Sequence, residues 1–172
     1  MRATYVPNSF SEENAKHDKA IKALKKYYEG KILFKELPGK NDEGCDLLMK
    51  QGNEILGVEI KTLAGCSRTG TPYSTFIVET FTDYEKKYLS GWRAASNLST
   101  IIFFNLHTKR AYIYDATTLR SYVEEHLHLE QPSGTSTGQY NKANKNCSWG
   151  IKIHWACKEA GLIKEIDLKD YL

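Results

Sequence analysis

Two carboxylates and an ammonium stand at a spacing that can do phosphate chemistry. Asp46 is followed, after twelve intervening residues, by Glu59-Ile60-Lys61. Carboxylates hold a hard divalent cation such as Mg²⁺, and a Lys beside them supplies positive charge near a reacting phosphate. That chemistry requires the three side chains to converge. The intervening residues provide the means, because two apolar runs, Cys45-Asp46-Leu47-Leu48-Met49 and Ile55-Leu56-Gly57-Val58-Glu59-Ile60-Lys61, flank a Gln51-Gly52-Asn53 turn. This is the signature of a two-stranded hairpin. Side chains alternate along a strand, so Glu59 and Lys61 share one face while Val58 and Ile60 share the apolar other. Asp46 opens the neighbouring strand, where pairing brings it beside Glu59.

Asp46, Glu59 and Lys61 in this setting resemble the active-site motif of the PD-(D/E)xK nuclease superfamily, which includes type II restriction enzymes and archaeal Holliday junction resolvases. Cys45 occupies the place of the family's Pro. The order of elements over residues 11 to 115 follows the same resemblance. It implies an α/β fold of restriction-endonuclease-like type, with a central mixed β-sheet flanked by helices and the active site at one end. It also implies divalent-metal-dependent hydrolysis of DNA phosphodiester bonds, probed with Mg²⁺ or with Mn²⁺ as substitute. The expected ligands are Asp46, Glu59 and the backbone carbonyl of Ile60, with Lys61 orienting water or stabilising developing charge. Members often add an acid from the first helix. Asp18 is the first candidate here, Glu13 the second, and Glu12 suits the helix N-terminus instead. Cleavage as a homodimer is a further implication.

The elements that must position these residues follow from periodicity. Residues 11 to 29 read as an amphipathic helix, with Ser11 as cap, Ile21, Leu24 and Tyr28 on one stripe, and Gly30 as stop. Residues 31 to 37 form a strand, and Phe76-Ile77-Val78-Glu79-Thr80-Phe81 another. Residues 83 to 96 read as a helix broken at Ser90-Gly91-Trp92. The continuous apolar run Thr100-Ile101-Ile102-Phe103-Phe104-Asn105 is expected of a fully buried strand, paired to Ala111-Tyr112-Ile113-Tyr114-Asp115. Thr117 or Thr118 would cap a helix reaching Leu129. Residues 131 to 148 form a long polar stretch expected to be a flexible loop. Residues 148 to 153 suit a strand, 154 to 160 a helical turn and 163 to 168 an edge segment.

Other residues qualify as site candidates. Glu79 is a carboxylate within an apolar strand, so it either faces the active site or pairs with a cation. Residues 86 to 114 and 131 to 158 lack acids but carry Lys and Arg, among them Lys86, Lys87, Arg93, Lys109, Arg110, Lys142, Lys145 and Lys152. Arg68 lies in a third acid-free stretch. Segregated basic residues can bind phosphates, and Arg68, Lys142 and Lys145 are the expected nucleic-acid contacts. Tyr140, Trp149 and Trp155 are available to stack on bases or to fill a core. Cys147, His154 and Cys157 match no structural zinc spacing.

Composition sets the bounds. The 172 residues suit one domain spanning 1–172, with 41% hydrophobic and 26% charged residues. A net charge of +3 does not by itself argue for nucleic acid. No apolar stretch approaches the ~20 residues of a membrane span, and the N-terminus has no signal-type apolar core. Four scattered cysteines suggest reduced thiols. The expectation is a cytoplasmic, endonucleolytic DNA-cleaving enzyme. Its rivals are an RNA or branched-junction nuclease and a catalytically degenerate nucleic-acid-binding module.

Overall fold

Apolar runs fully hidden on both sides force layers on both sides, and the architecture follows from that. A computed structural model describes residues 10–37, 45–132 and 148–172. In chain order the elements are α1 (Phe10–Tyr27), β1 (Leu33–Glu36), β2 (Leu47–Gln51), β3 (Glu54–Leu63), β4 (Thr75–Asp83), β5 (Tyr88–Leu89), α2 (Gly91–Ala94), β6 (Leu98–Asn105), β7 (Arg110–Asp115), α3 (Ala116–Glu125), β8 (Gln131–Pro132), β9 (Trp149–His154) and β10 (Leu162–Asp167). The result is a mixed α/β fold. Its six-stranded sheet has the order β1-β2-β3-β6-β7-β10. All neighbours in it are antiparallel except β3 and β6, which run parallel.

The apolar run of β6 explains its central place. Ile102 and Phe104 face one side, where Ala20, Ile21, Ala23 and Leu24 of α1 pack with Val58 and Ile60. Ile101 and Phe103 face the other, against Phe76, Val78, Ile151, Ile153 and Trp155. Each such buried side chain contributes on the order of 1.5–3 kcal/mol. The aromatic seam is tight, with the Phe76 ring centroid 4.5 Å from Phe103 and 4.6 Å from Trp155.

Several expected elements form differently. The strands expected at 76 to 81 and 148 to 153 form, but in a sheet of their own. As β4 and β9 they form a second, antiparallel sheet of order β5-β4-β9-β8 that covers its face. No long helix spans 83 to 96. The chain turns instead, with the Asp83 carboxylate accepting from the Lys86 amide, and returns as β5 so that Phe81 pairs with Leu89. Only the four-residue α2 remains helical. Asp115, not Thr117 or Thr118, caps α3 by accepting from the Thr118 amide at 2.7 Å. The helix ends at Glu125, followed by a short 3-10 turn at Leu127–Leu129. Two tight turns replace the helical segment expected at 154 to 160. The edge segment at 163 to 168 is β10, paired with β7.

Candidate active site

The β2–β3 hairpin forms as its residues dictate. Its register runs from Gln51↔Glu54 to Leu47↔Val58 around a turn with Gly52 at φ +61°. At Asp46 the ladder ends in an unusual way. The Asp46 amide donates to the Val58 carbonyl at 2.9 Å, and its carboxylate accepts from the Ile60 amide at 2.7 Å. The side chain therefore supplies the next rung where β2 stops. A residue's amide and carbonyl point to the same strand edge. The Ile60 carbonyl thus projects to the edge that the Asp46 carboxylate occupies.

Glu59 and Lys61 lie on the sheet face turned toward the second sheet, while Val58 and Ile60 are buried under α1. The Lys61 Nζ sits 2.5 Å from a Glu59 oxygen. Burial pushes the Glu59 carboxyl up. Lys61 pulls it back in part, Asp46 pushes it further up, and His17 opposes weakly. Burial alone would lower the Lys61 ammonium, but Glu59, with Asp46 and Glu79 behind it, outweighs that and holds it above its ordinary value. The cluster carries more negative charge than its one ammonium offsets, an arrangement that favours a further cation.

Among the described side chains of α1, His17 reaches the site, its Nε2 3.8 Å from an Asp46 oxygen. His17 precedes Ile21 by four and Leu24 by seven, so it shares their buried stripe. Asp18 is rotated about 100° further round the helix and is exposed. Asp18 thus stands off the site and its neighbour His17 beside it, while the side chain of the second candidate, Glu13, lies outside the described residues. The signal was the histidine's own spacing.

Glu79 does face the same region. A register shift between Glu79 and Phe81 marks a bulge in the β4–β9 pairing, and bulges re-aim side chains. The Glu79 carbonyl accepts from the Ser90 hydroxyl at 2.8 Å and from the Trp92 indole at 2.7 Å. Opposite it, Gly150 leaves no room for a side chain, since a Cβ would lie 2.5 Å from the Val78 carbonyl oxygen. Burial pushes the Glu79 carboxyl up, while Lys61 and a hydrogen bond with Ser148 oppose this. Glu79 and Lys61 line one cavity of about 410 Å³ between the sheets, with Leu63, Ile77, Trp92 and Phe103. A second cavity of about 440 Å³ adjoins it, sharing Leu63, Ala64 and Ile77 and reaching Tyr73 and Lys152.

The other candidates scatter. Arg68 is exposed on the 64–74 loop, beyond the end of β3, inside a tight Ser67–Gly70 turn. Arg93 and Arg110 do not form a basic surface. Arg93 pairs with Glu124 and Arg110 with Glu165, acids far away in sequence. Trp155 is core, and Trp149 stacks on Tyr84 at 3.9 Å between centroids. Tyr140, Lys142, Lys145, Cys147 and most of the 131 to 148 stretch lie outside the described residues, as do the side chains of Ser11, Glu12 and Glu13.

Among the described residues no three His, Cys, Asp or Glu side chains gather closely enough to hold a metal by themselves. Mg²⁺ does not demand that, because it keeps several waters and takes one or two carboxylates. Asp46, Glu59 and the Ile60 carbonyl make such a partial set, with His17 at its border. No protein-family model and no curated protein matches this chain. Among solved structures, a bacterial homing endonuclease superposes on 65% of this chain and 68% of its own, at 12% sequence identity and a TM-score of 0.41. A likeness of that size decides neither fold nor activity, so the functional case rests on the site's own geometry.

Proposed function

We propose that this chain is a divalent-metal-dependent nuclease of PD-(D/E)xK type that hydrolyses phosphodiester bonds in DNA. One observation carries the reading. The Asp46 carboxylate takes the Ile60 amide where β2 ends, which gathers two carboxylates, a backbone carbonyl and a Lys at the end of that strand.

A bound Mg²⁺ would supply Lewis-acid stabilisation of phosphoryl charge and lower the pKa of water. Asp46 and Glu59 provide its anionic oxygens and Ile60 a neutral one. Asp46 is preorganised, because its hydrogen bond to a strand amide fixes its rotamer. Lys61 is held charged and oriented by Glu59, which suits it to meet charge building on a phosphate oxygen. Half of its side chain stays open to solvent, as contact with an incoming polymer requires.

The test is cleavage of supercoiled plasmid, linear duplex, branched DNA and RNA with Mg²⁺, with Mn²⁺ and with chelator. Nicking or linearisation of the plasmid, abolished by chelator, is expected. Cleavage confined to RNA or branched DNA would shift the substrate class. Binding without cleavage in either metal would mean a degenerate binding module instead.

A further inference from the structure

We propose that Glu79 is the positioning residue of Lys61, receiving its ammonium across the inter-sheet cavity when a cation engages Glu59. The cation and the pairing partner of Glu59 come from the nuclease reading, on which this inference rests.

In the structure the Lys61 ammonium lies on a Glu59 oxygen at 2.5 Å. That oxygen is one a divalent cation would take. Loading the site therefore frees the ammonium from its nearest partner. The cavity it borders is lined by apolar Leu63, Ile77 and Phe103 together with Thr62 and Ser90, and Glu79 is the acid that shares this lining with Lys61. The Lys61 side chain is half open to solvent, so what draws its ammonium across the cavity is the Glu79 charge rather than the cost of burial. Glu79 already acts on Lys61 through space.

Glu79 is also fixed in place. The bulge aims it, Ser90 and Trp92 pin its carbonyl, and Ser148 hydrogen-bonds its carboxylate. The grips from Ser90 and Trp92 use only the backbone carbonyl, which any residue supplies. The fold therefore does not require a carboxylate at this position, whereas Lys61 does.

The experiment compares the parent protein with Glu79→Gln, Glu79→Asp, Lys61→Ala and the Glu79→Gln/Lys61→Ala double variant. Turnover on labelled duplex with Mg²⁺ is measured beside Mn²⁺ affinity. Thermal midpoints are recorded with and without Mn²⁺. Glu79→Gln should lower kcat by about 10–100-fold, the usual scale for an outer partner of a metal site, with KM and Mn²⁺ affinity unchanged. Glu79→Asp should recover part of the loss. In the Lys61→Ala background Glu79→Gln should add nothing. An equal further loss in that background, or a matching loss of Mn²⁺ affinity, would overturn the proposal and make Glu79 a fold residue or a ligand. If the parent cleaves nothing, the nuclease reading fails and the thermal measurements still decide the pairing. Coupled residues give Glu79→Gln a different midpoint shift with and without Lys61. Identical shifts in both metal conditions overturn it.

Discussion

The two charged ends of the central sheet use the same residue types to opposite effect. At the β7–β10 edge, Arg110 pairs with Glu165 and approaches Asp167 at 3.9 Å, while Lys169 reaches Asp167 at 3.9 Å. All four are partly or well exposed. Their charges balance and water screens them, so each pair is worth about 0–1 kcal/mol. At the Asp46 end of the β2–β3 hairpin, Asp46 and Glu59 share one Lys and a His. Glu59 keeps only 14% of its side-chain surface in water, and its carboxyl is pushed up. The first cluster is arranged for comfort and the second at a cost. Acids held this way are what the proposed cation site calls for.

The largest effect that could break the contrast comes from Asp46→Asn. The amide oxygen can still accept from the Ile60 amide, so the fold should hold. Cleavage should fall below detection, and calorimetric titration should show Mn²⁺ affinity strongly weakened. Unchanged affinity would put the two clusters in the same class. Next, Lys61→Ala should lower turnover by about 10²–10³-fold, the scale for losing one preorganised donor, with duplex affinity spared. Lys61→Arg should not restore it, because the guanidinium fork has a different geometry.

His17→Ala should weaken Mn²⁺ binding by about 10–100-fold, and Asp18→Ala should leave it alone. A reversed ranking would return the helix's contribution to its acid. A smaller, pH-dependent effect separates buried from exposed acids. Glu79 has a raised pKa, so the native state holds its proton more tightly than the unfolded chain. Its charge therefore takes stability away as pH rises through the ordinary carboxylate range and above. Glu79→Gln should raise the thermal midpoint at pH 7.5 and change it little at pH 4, as calorimetric scans at the two pH values would show. The smallest effect belongs to the far edge. Arg110→Ala should cost about 0–1 kcal/mol in urea unfolding, less at high salt, with cleavage intact.

The hairpin that builds the site was legible because its determinants are local. A Gly52-Asn53 turn, strict alternation from Leu56 to Lys61, and Asp46 at the strand's start suffice to place three side chains. The buried run from Thr100 to Asn105 was legible for the same reason. Partnerships set by distant residues were not. Inward-facing Phe76 and Val78 read the same whether β4 extends the central sheet or lies across it. Tyr84, Lys87 and Tyr88 carry helical spacing, yet pairing of Phe81 with Leu89 overrides that local preference. Acid-free stretches looked basic until Glu124 and Glu165 arrived from elsewhere in the chain. The choice between His17 and Asp18 turned on about 100° of helix rotation, and only the four- and seven-residue spacing of His17 from Ile21 and Leu24 separates them.

The parallel pairing of β3 with β6 has a consequence in time. Asp46 and Glu59 meet through a two-residue turn, and such hairpins close in about 1–10 μs. Lys61 lies opposite Phe103 only after the whole of β4, β5 and α2 has been laid down between them. Non-local pairings of that kind form slowly, since the chain must lose its freedom before the contacts reward it. The acids would therefore be neighbours early in the life of each molecule, and the cleft wall bearing Glu79 would follow, because β4 pairs with the distant β9. Chemistry that depends on both would switch on only when folding is complete.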